Sequence, residues 1–162
     1  VIVNPLRIRR YIISELETSV ILYFTGASRD SAKIINDQIA SMQQDDGARI
    51  LAMHKVKESA YKIKEFLFKA DIAGIATEFK KSWESKKATS ASITNDHINK
   101  IEQDIFRAGA LSMKVSGAGG GGFIMIFVEP EKKLDVEKAL EQFDGDLHKF
   151  QFVNEGAYSW TI

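Results

Sequence analysis

Between two apolar stretches, Leu111–Val115 and Phe123–Val128, the chain reads Ser-Gly-Ala-Gly-Gly-Gly-Gly from Ser116 to Gly122. Ordering so many glycines is entropically costly, because each loses more backbone freedom than any other residue. A run of this kind answers a steric demand: positive φ, or bare main chain brought against a ligand or another segment. Successive N–H groups in a concave turn can hold an anion such as phosphate. Gly117, Gly119 and Gly122 satisfy G-x-G-x-x-G, but a dinucleotide fold needs that loop to open a helix. Here Phe-Ile-Met-Ile-Phe-Val follows, which reads as a strand, and no Lys-Ser or Lys-Thr follows to make a P-loop. The loop joins two strands, and by composition it is either a flexible hairpin or a ligand contact.

The segments around it alternate between two periods. Leu6–Ile13 reads as a strand with Pro5 at its edge, and Ser19–Thr25 as a central strand rich in β-branched and aromatic residues. After Gly26, Ser28 is placed to cap a helix whose Ala32, Ile35, Ile39 and Met42 share one face. A second helix carries Met53, Val56, Ala60, Ile63, Leu67 and Ala70 in a seam, and a third runs from Ile72 to about Lys87 with Phe79 and Trp83. Thr94 or Asn95 caps a fourth, with Ile98, Ile101, Ile105 and Ala108 inward and Gly109 closing it. Beyond the second strand of the hairpin, Pro130 and Glu131 begin a helix with Leu134, Val136, Ala139, Leu140 and Phe143 inward. Leu147–Val153 and Tyr158–Ile162 read as closing strands. With the central helices collapsed into one connection, the order is the split βαβ, ferredoxin-like one. The expected fold is an α+β two-layer sandwich with an enlarged helical first crossover and helices on one face of a mostly antiparallel sheet.

Composition narrows the classes. The 162 residues hold no Cys, which removes disulfides and thiolate chemistry and fits a cytoplasmic setting. Lys+Arg and Asp+Glu number 22 each, so no field draws the chain to nucleic acid or membrane. No apolar run is long enough to span a bilayer. His54, His97 and His148 stand at no metal-ligand spacing, and no metal site is expected.

Ser112-Met-Lys-Val-Ser-Gly-Ala-Gly-Gly-Gly-Gly-Phe123 resembles the third conserved motif of the GHMP kinases, the family of galactokinase, homoserine kinase and mevalonate kinase. In that motif a Lys or Arg precedes Thr or Ser, and a Gly-Ala-Gly-x-Gly-Gly loop leads into a strand. The C-terminal domain of the family has the split βαβ order, so the resemblance covers most of the chain. Asn4–Ile8, Thr25–Lys33 and Trp83-Glu-Ser-Lys-Lys87, ahead of the Asn95–Ile98 helix start, resemble the branch acting on heptose phosphates, with Ala88 where a Leu is expected. The family's Pro-x-Gly-x-Gly-Leu-Ser-Ser-Ser loop, its sugar-contacting first motif and its catalytic Asp have no counterpart here. Residues 1–162 are therefore expected to be the C-terminal domain of a longer kinase, inactive alone, with its ATP-binding domain upstream.

The resemblance implies an ATP- and Mg²⁺-dependent sugar kinase that phosphorylates the anomeric hydroxyl of a heptose 7-phosphate, with most of the nucleotide contacts in the other domain. It places Gly117, Ala118, Gly119, Gly120, Gly121 and Gly122 against the nucleotide. Arg29, Lys114 and Ser116 become candidates for the phosphorylated sugar. The plainer alternatives are a solvated Arg29 beside a capping Ser28, and Lys114 as an exposed strand-end cation. A different class stays open: a ferredoxin-like ligand- or RNA-binding module, with Phe123, Met125 and Phe127 on one strand face as stacking aromatics.

Overall fold

The computed structural model describes residues 4–26, 31–43, 47–153, 155–157 and 159–161. The elements run α1 (Arg10–Thr18), β1 (Val20–Phe24), α2 (Ser31–Gln43), α3 (Gly47–Lys69), α4 (Ile72–Lys87), α5 (Asp96–Arg107), β2 (Ala110–Val115), β3 (Phe123–Val128), α6 (Lys133–Leu140) and β4 (Asp146–His148). The sheet is antiparallel in the order β2-β3-β1-β4. That is the split βαβ, ferredoxin-like arrangement, with α2 to α5 as the enlarged first crossover. Register pairs Val20 with Phe127 and Phe24 with Phe123. The β2–β3 hairpin runs from Ala110 opposite Val128 to Val115 opposite Ile124.

The period of two along each strand sends alternate side chains into two cores. Ile21, Tyr23, Met113, Val115, Ile124, Ile126 and Val128 pack against Ile98, Ile101, Ile105, Val136 and Leu140 of α5 and α6. Ile98, Ile101 and Ile105 are wholly buried, each contributing about 1.5–3 kcal/mol of apolar transfer. On the other face Val20, Phe127 and Met125 meet Leu16, Ile63, Phe66, Ile75, Ala76 and Phe79. The crossover thus covers part of the second face as well, through α3 and α4, with α1 beside them. Phe127 is almost fully buried there, its ring 5.1 Å from that of Phe79. Of the three residues that could stack on bases, only Phe123 is exposed.

Several elements differ from the expectation. Leu6–Ile13 is not a strand: the chain is irregular to Arg9 and then forms α1, because Ile12 and Leu16, one helical turn apart, are what it buries. In α2 the residue turned inward is Ile34, while Ala32, Ile35 and Ile39 are exposed. Polar docking sets this face, for Asp37 Oδ2 accepts from Ser92 Oγ at 2.8 Å and Gln38 Nε2 donates to Thr89 Oγ1 at 3.2 Å. The Met42 side chain and Ser28, read as a cap, lie outside the described residues. The α3 seam keeps Val56, Ile63 and Leu67 but uses Ala52 and Ser59 in place of Met53 and Ala60. Ser59 belongs there because its hydroxyl donates to the buried Glu78 carboxylate at 2.8 Å. Leu134 is exposed, since a 3₁₀ turn over Pro130–Lys132 rotates α6 to bury Val136 and Leu140.

The last strand is short. After His148 the chain leaves the sheet, Phe150 joins the second core, and the Phe152 N–H donates to Glu17 Oε1 of α1 at 2.9 Å. Residues 159–161 form no strand, and Tyr158 and Ile162 lie outside the described residues.

Candidate functional site

The glycine loop closes the β2–β3 hairpin. Pairing continues one step past the strands, with the Ser116 N–H donating to Phe123 O at 2.8 Å. Gly117, Gly119, Gly120 and Gly122 then hold φ between 72° and 113°, a region closed to residues with a Cβ except at a cost. Space matters most at Gly119: a Cβ there would stand 2.9 Å from Ile93 O and 3.1 Å from Ile93 Cα.

Three other parts of the fold clamp the loop. The Gly120 N–H donates to Ile93 O at 2.7 Å, and Asn95 Nδ2 donates to Gly120 O at 3.0 Å. Asn95 also caps α5 by accepting from the Ile98 N–H at 3.1 Å, so one side chain fixes both helix start and loop. At the end of β1, Thr25 Oγ1 accepts from the Gly122 N–H at 3.1 Å and the Thr25 N–H donates to Gly122 O at 3.0 Å. From α4, Lys86 Nζ donates to Gly117 O at 2.6 Å and Val115 O at 3.1 Å. The loop is a fixed structure, not a free hairpin.

A groove of about 400 Å³ opens at its foot, lined by Val56, Phe79, Lys86, Lys114, Val115, Ser116, Gly117 and Met125. Lys114 Nζ donates to Ser82 Oγ at 2.7 Å and lies 5.7 Å from the Phe79 ring centre. Burial pushes the Lys114 amine below the ordinary lysine range. Burial, with the nearby Lys114 charge second, brings Lys86 down to about 8.

Of the candidates read from sequence, Lys114, Ser116 and Gly117 meet at this groove, Ser116 exposed. Arg29 lies outside the described residues. From sequence, Lys86 could border the sugar site only as one of Trp83, Lys86 and Lys87 together, and the structure brings Lys86 alone of the three to the groove. Its neighbour Lys87 turns elsewhere, pairing with Glu84 at 2.9 Å and Glu102 at 3.1 Å beside the fully buried Trp83. His97 packs edge-on against Phe143, and His148 against Phe24 and Phe123.

The donor set suits phosphate oxygens. Among the described residues the N–H groups of Gly117, Ala118 and Gly121 make no hydrogen bond, and Ser116 and the two amines stand beside them. No carboxylate lines the groove, so its charge complements an anion and not a cation such as Mg²⁺. Among the described residues no helix is long and apolar enough to cross a membrane.

Comparison with known proteins agrees with this picture. The family described as GHMP kinases C terminal matches residues 63–146. D-glycero-alpha-D-manno-heptose 7-phosphate kinase of Campylobacter jejuni is 43% identical over all 162 residues, which span 47% of that protein. A crystal structure of a D-glycero-D-manno-heptose 1-phosphate kinase from Bacteroides thetaiotaomicron superposes with a TM-score of 0.67 and 36% identity, over 99% of this chain and 41% of that one. Methanococcus jannaschii mevalonate kinase, 22% identical, shares the fold with a TM-score of 0.66 over 92% of this chain and 44% of its own. With its glycine loop clamped between two strands of a ferredoxin-like sheet and its family match across more than half its length, the chain belongs to the GHMP kinases, as a C-terminal domain of that family.

Proposed function

We propose that the polypeptide carrying this chain is an ATP-dependent kinase that transfers the γ-phosphate to the anomeric hydroxyl of D-glycero-D-manno-heptose 7-phosphate. The observation that carries this reading is the 43% identity, across the whole chain, to a kinase named for that substrate. In this reading residues 1–162 are the C-terminal domain, and an N-terminal domain of the same polypeptide supplies most contacts to ATP and Mg²⁺.

Phosphoryl transfer asks a protein mainly for positioning and charge neutralisation. The loop Gly117–Gly122 presents unbonded N–H groups to nucleotide phosphates, and its lack of side chains lets the main chain approach. Lys114 and Ser116 border the sugar phosphate, as does Arg29. When bound, ATP with its metal supplies the transferable phosphoryl group. These residues orient it and offset its charge.

The test is a coupled ADP-release assay on the full-length polypeptide, with the product position assigned by phosphorus NMR. Heptose 7-phosphate is expected to be phosphorylated at C1, and the 162 residues alone to turn over no ATP. Gly121→Asp, which puts a carboxylate beside the proposed phosphate path, is expected to cut turnover at least tenfold. Normal turnover in that variant would take the loop out of the mechanism, and absence of transfer to any sugar phosphate would remove the assignment itself.

A further inference from the structure

The groove beneath the glycine loop holds a combination that structural economy does not explain. Two lysine amines reach into it, both partly buried, close enough that the charge of one lowers the proton affinity of the other. Among the described residues neither has a carboxylate partner, and no acid lines the groove. Elsewhere on α4, Lys81 pairs with Glu78 and Lys87 with Glu84 and Glu102, and Lys80 lies over the Phe106 ring. Burying two like charges together opposes folding unless something of opposite sign joins them.

The free donors can be counted. An ammonium has three N–H donors. Lys86 uses two, on Val115 O and Gly117 O, and keeps one. Lys114 uses one on Ser82 Oγ and keeps two. The exposed Ser116, with its hydroxyl, lines the groove as well. All of these groups donate, and the rest of the groove wall is apolar, made by Val56, Phe79 and Met125. Such a wall excludes water and strengthens a charged contact. A single carboxylate would neutralise only one of the two amines, whereas a phosphate monoester carries close to two negative charges at neutral pH and three oxygens to accept these donors.

We propose that the Lys86–Lys114 groove binds a phosphate monoester, the phosphate already present on the sugar substrate, as a site separate from the glycine-loop amides that face the nucleotide. The proposal rests on the kinase reading for the identity of the ligand, but not for the anion site as such. Lys114 contacts the phosphate directly. Lys86 contacts it with its remaining donor and also holds the loop entry, so filling the groove couples substrate phosphate to loop position.

The experiment has two parts on the full-length polypeptide. Calorimetric titration with inorganic phosphate, a probe that needs no turnover, is expected to show binding that Lys114→Met weakens at least tenfold and Lys114→Arg largely restores. Lys86→Met is expected to weaken it as well, with the unfolding midpoint recorded to separate loop loosening from loss of charge. Phosphate affinity within twofold of the parent in both methionine variants, with the fold intact, overturns the anion site. In steady-state kinetics, Lys114→Met is expected to raise KM for the sugar phosphate about tenfold and KM for ATP far less. A rise confined to ATP overturns the assignment to the sugar. If no sugar phosphate is a substrate, the kinase reading fails while the titration still decides the groove.

Discussion

Replacing Gly119 with alanine tests the steric reasoning about the loop most directly. Gly119 holds φ +113°, and an added Cβ meets Ile93 O at 2.9 Å and Ile93 Cα at 3.1 Å, both main-chain atoms that cannot swing aside. Holding a non-glycine residue in that conformation costs about 1–3 kcal/mol. Moving Ile93 O away also breaks its 2.7 Å bond from the Gly120 N–H, worth about 0.5–1.5 kcal/mol. Alanine returns roughly 0.4–1 kcal/mol by narrowing the unfolded ensemble, so the net loss is about 2.5 kcal/mol. Gly117→Ala is the matched control: φ is +72° and nothing lies within 4 Å of the added Cβ. Its left-handed strain of about 1–2 kcal/mol, less the same entropic return, leaves about 1 kcal/mol. The gap of about 1.5 kcal/mol corresponds to a urea midpoint lower by about 0.7 M at a slope near 2 kcal/mol per M. Equal midpoints for the two variants would mean that the contact with Ile93 does not shape the loop.

Asn95→Ala removes the α5 cap, about 1 kcal/mol, and the bond to Gly120 O, about another 1 kcal/mol; Asn95→Asp keeps the cap alone and is expected to lose half as much in urea unfolding. Ile105→Ala, at a wholly buried position, is expected to cost about 2–5 kcal/mol, with a calorimetric melting temperature as the check. Lys86 gives a pH dependence with a defined sign. Its folded pKa of about 8 lies below the unfolded 10.5, so between those values the unfolded chain binds the extra proton and stability rises with pH. The contribution is complete above the unfolded value and gone below about 8. Lys114, lowered in the same direction, adds to it. Lys86→Met is expected to flatten the slope of unfolding free energy over this window, and saturating inorganic phosphate to flatten it in the parent.

What could be read before any fold was known rests on interactions that stay within a few residues. The extent of α4, the Asn95 cap with its three isoleucines, and the sharp change from Gly122 to an unbroken apolar strand are local patterns, and the structure reproduces each. The glycine loop belongs with them, because only a steric demand justifies that many flexible residues. Leu6–Ile13 failed for an instructive reason: Ile8, Ile12 and Leu16 repeat at helical spacing, and the arginines between them obscured it.

Tertiary structure decided the rest. Ile34 and Ile35 are equally apolar neighbours, and only the docking of Asp37 and Gln38 onto the 89–92 turn chose which one to bury. Lys86 and Lys87 are adjacent in sequence but about 100° apart around α4. One therefore meets the loop carbonyls and a like charge, the other two glutamates. Local spacing determines which faces a helix has. The partner each face meets is set by segments far away in sequence, and here that choice put one lysine against the loop carbonyls and its neighbour against two glutamates.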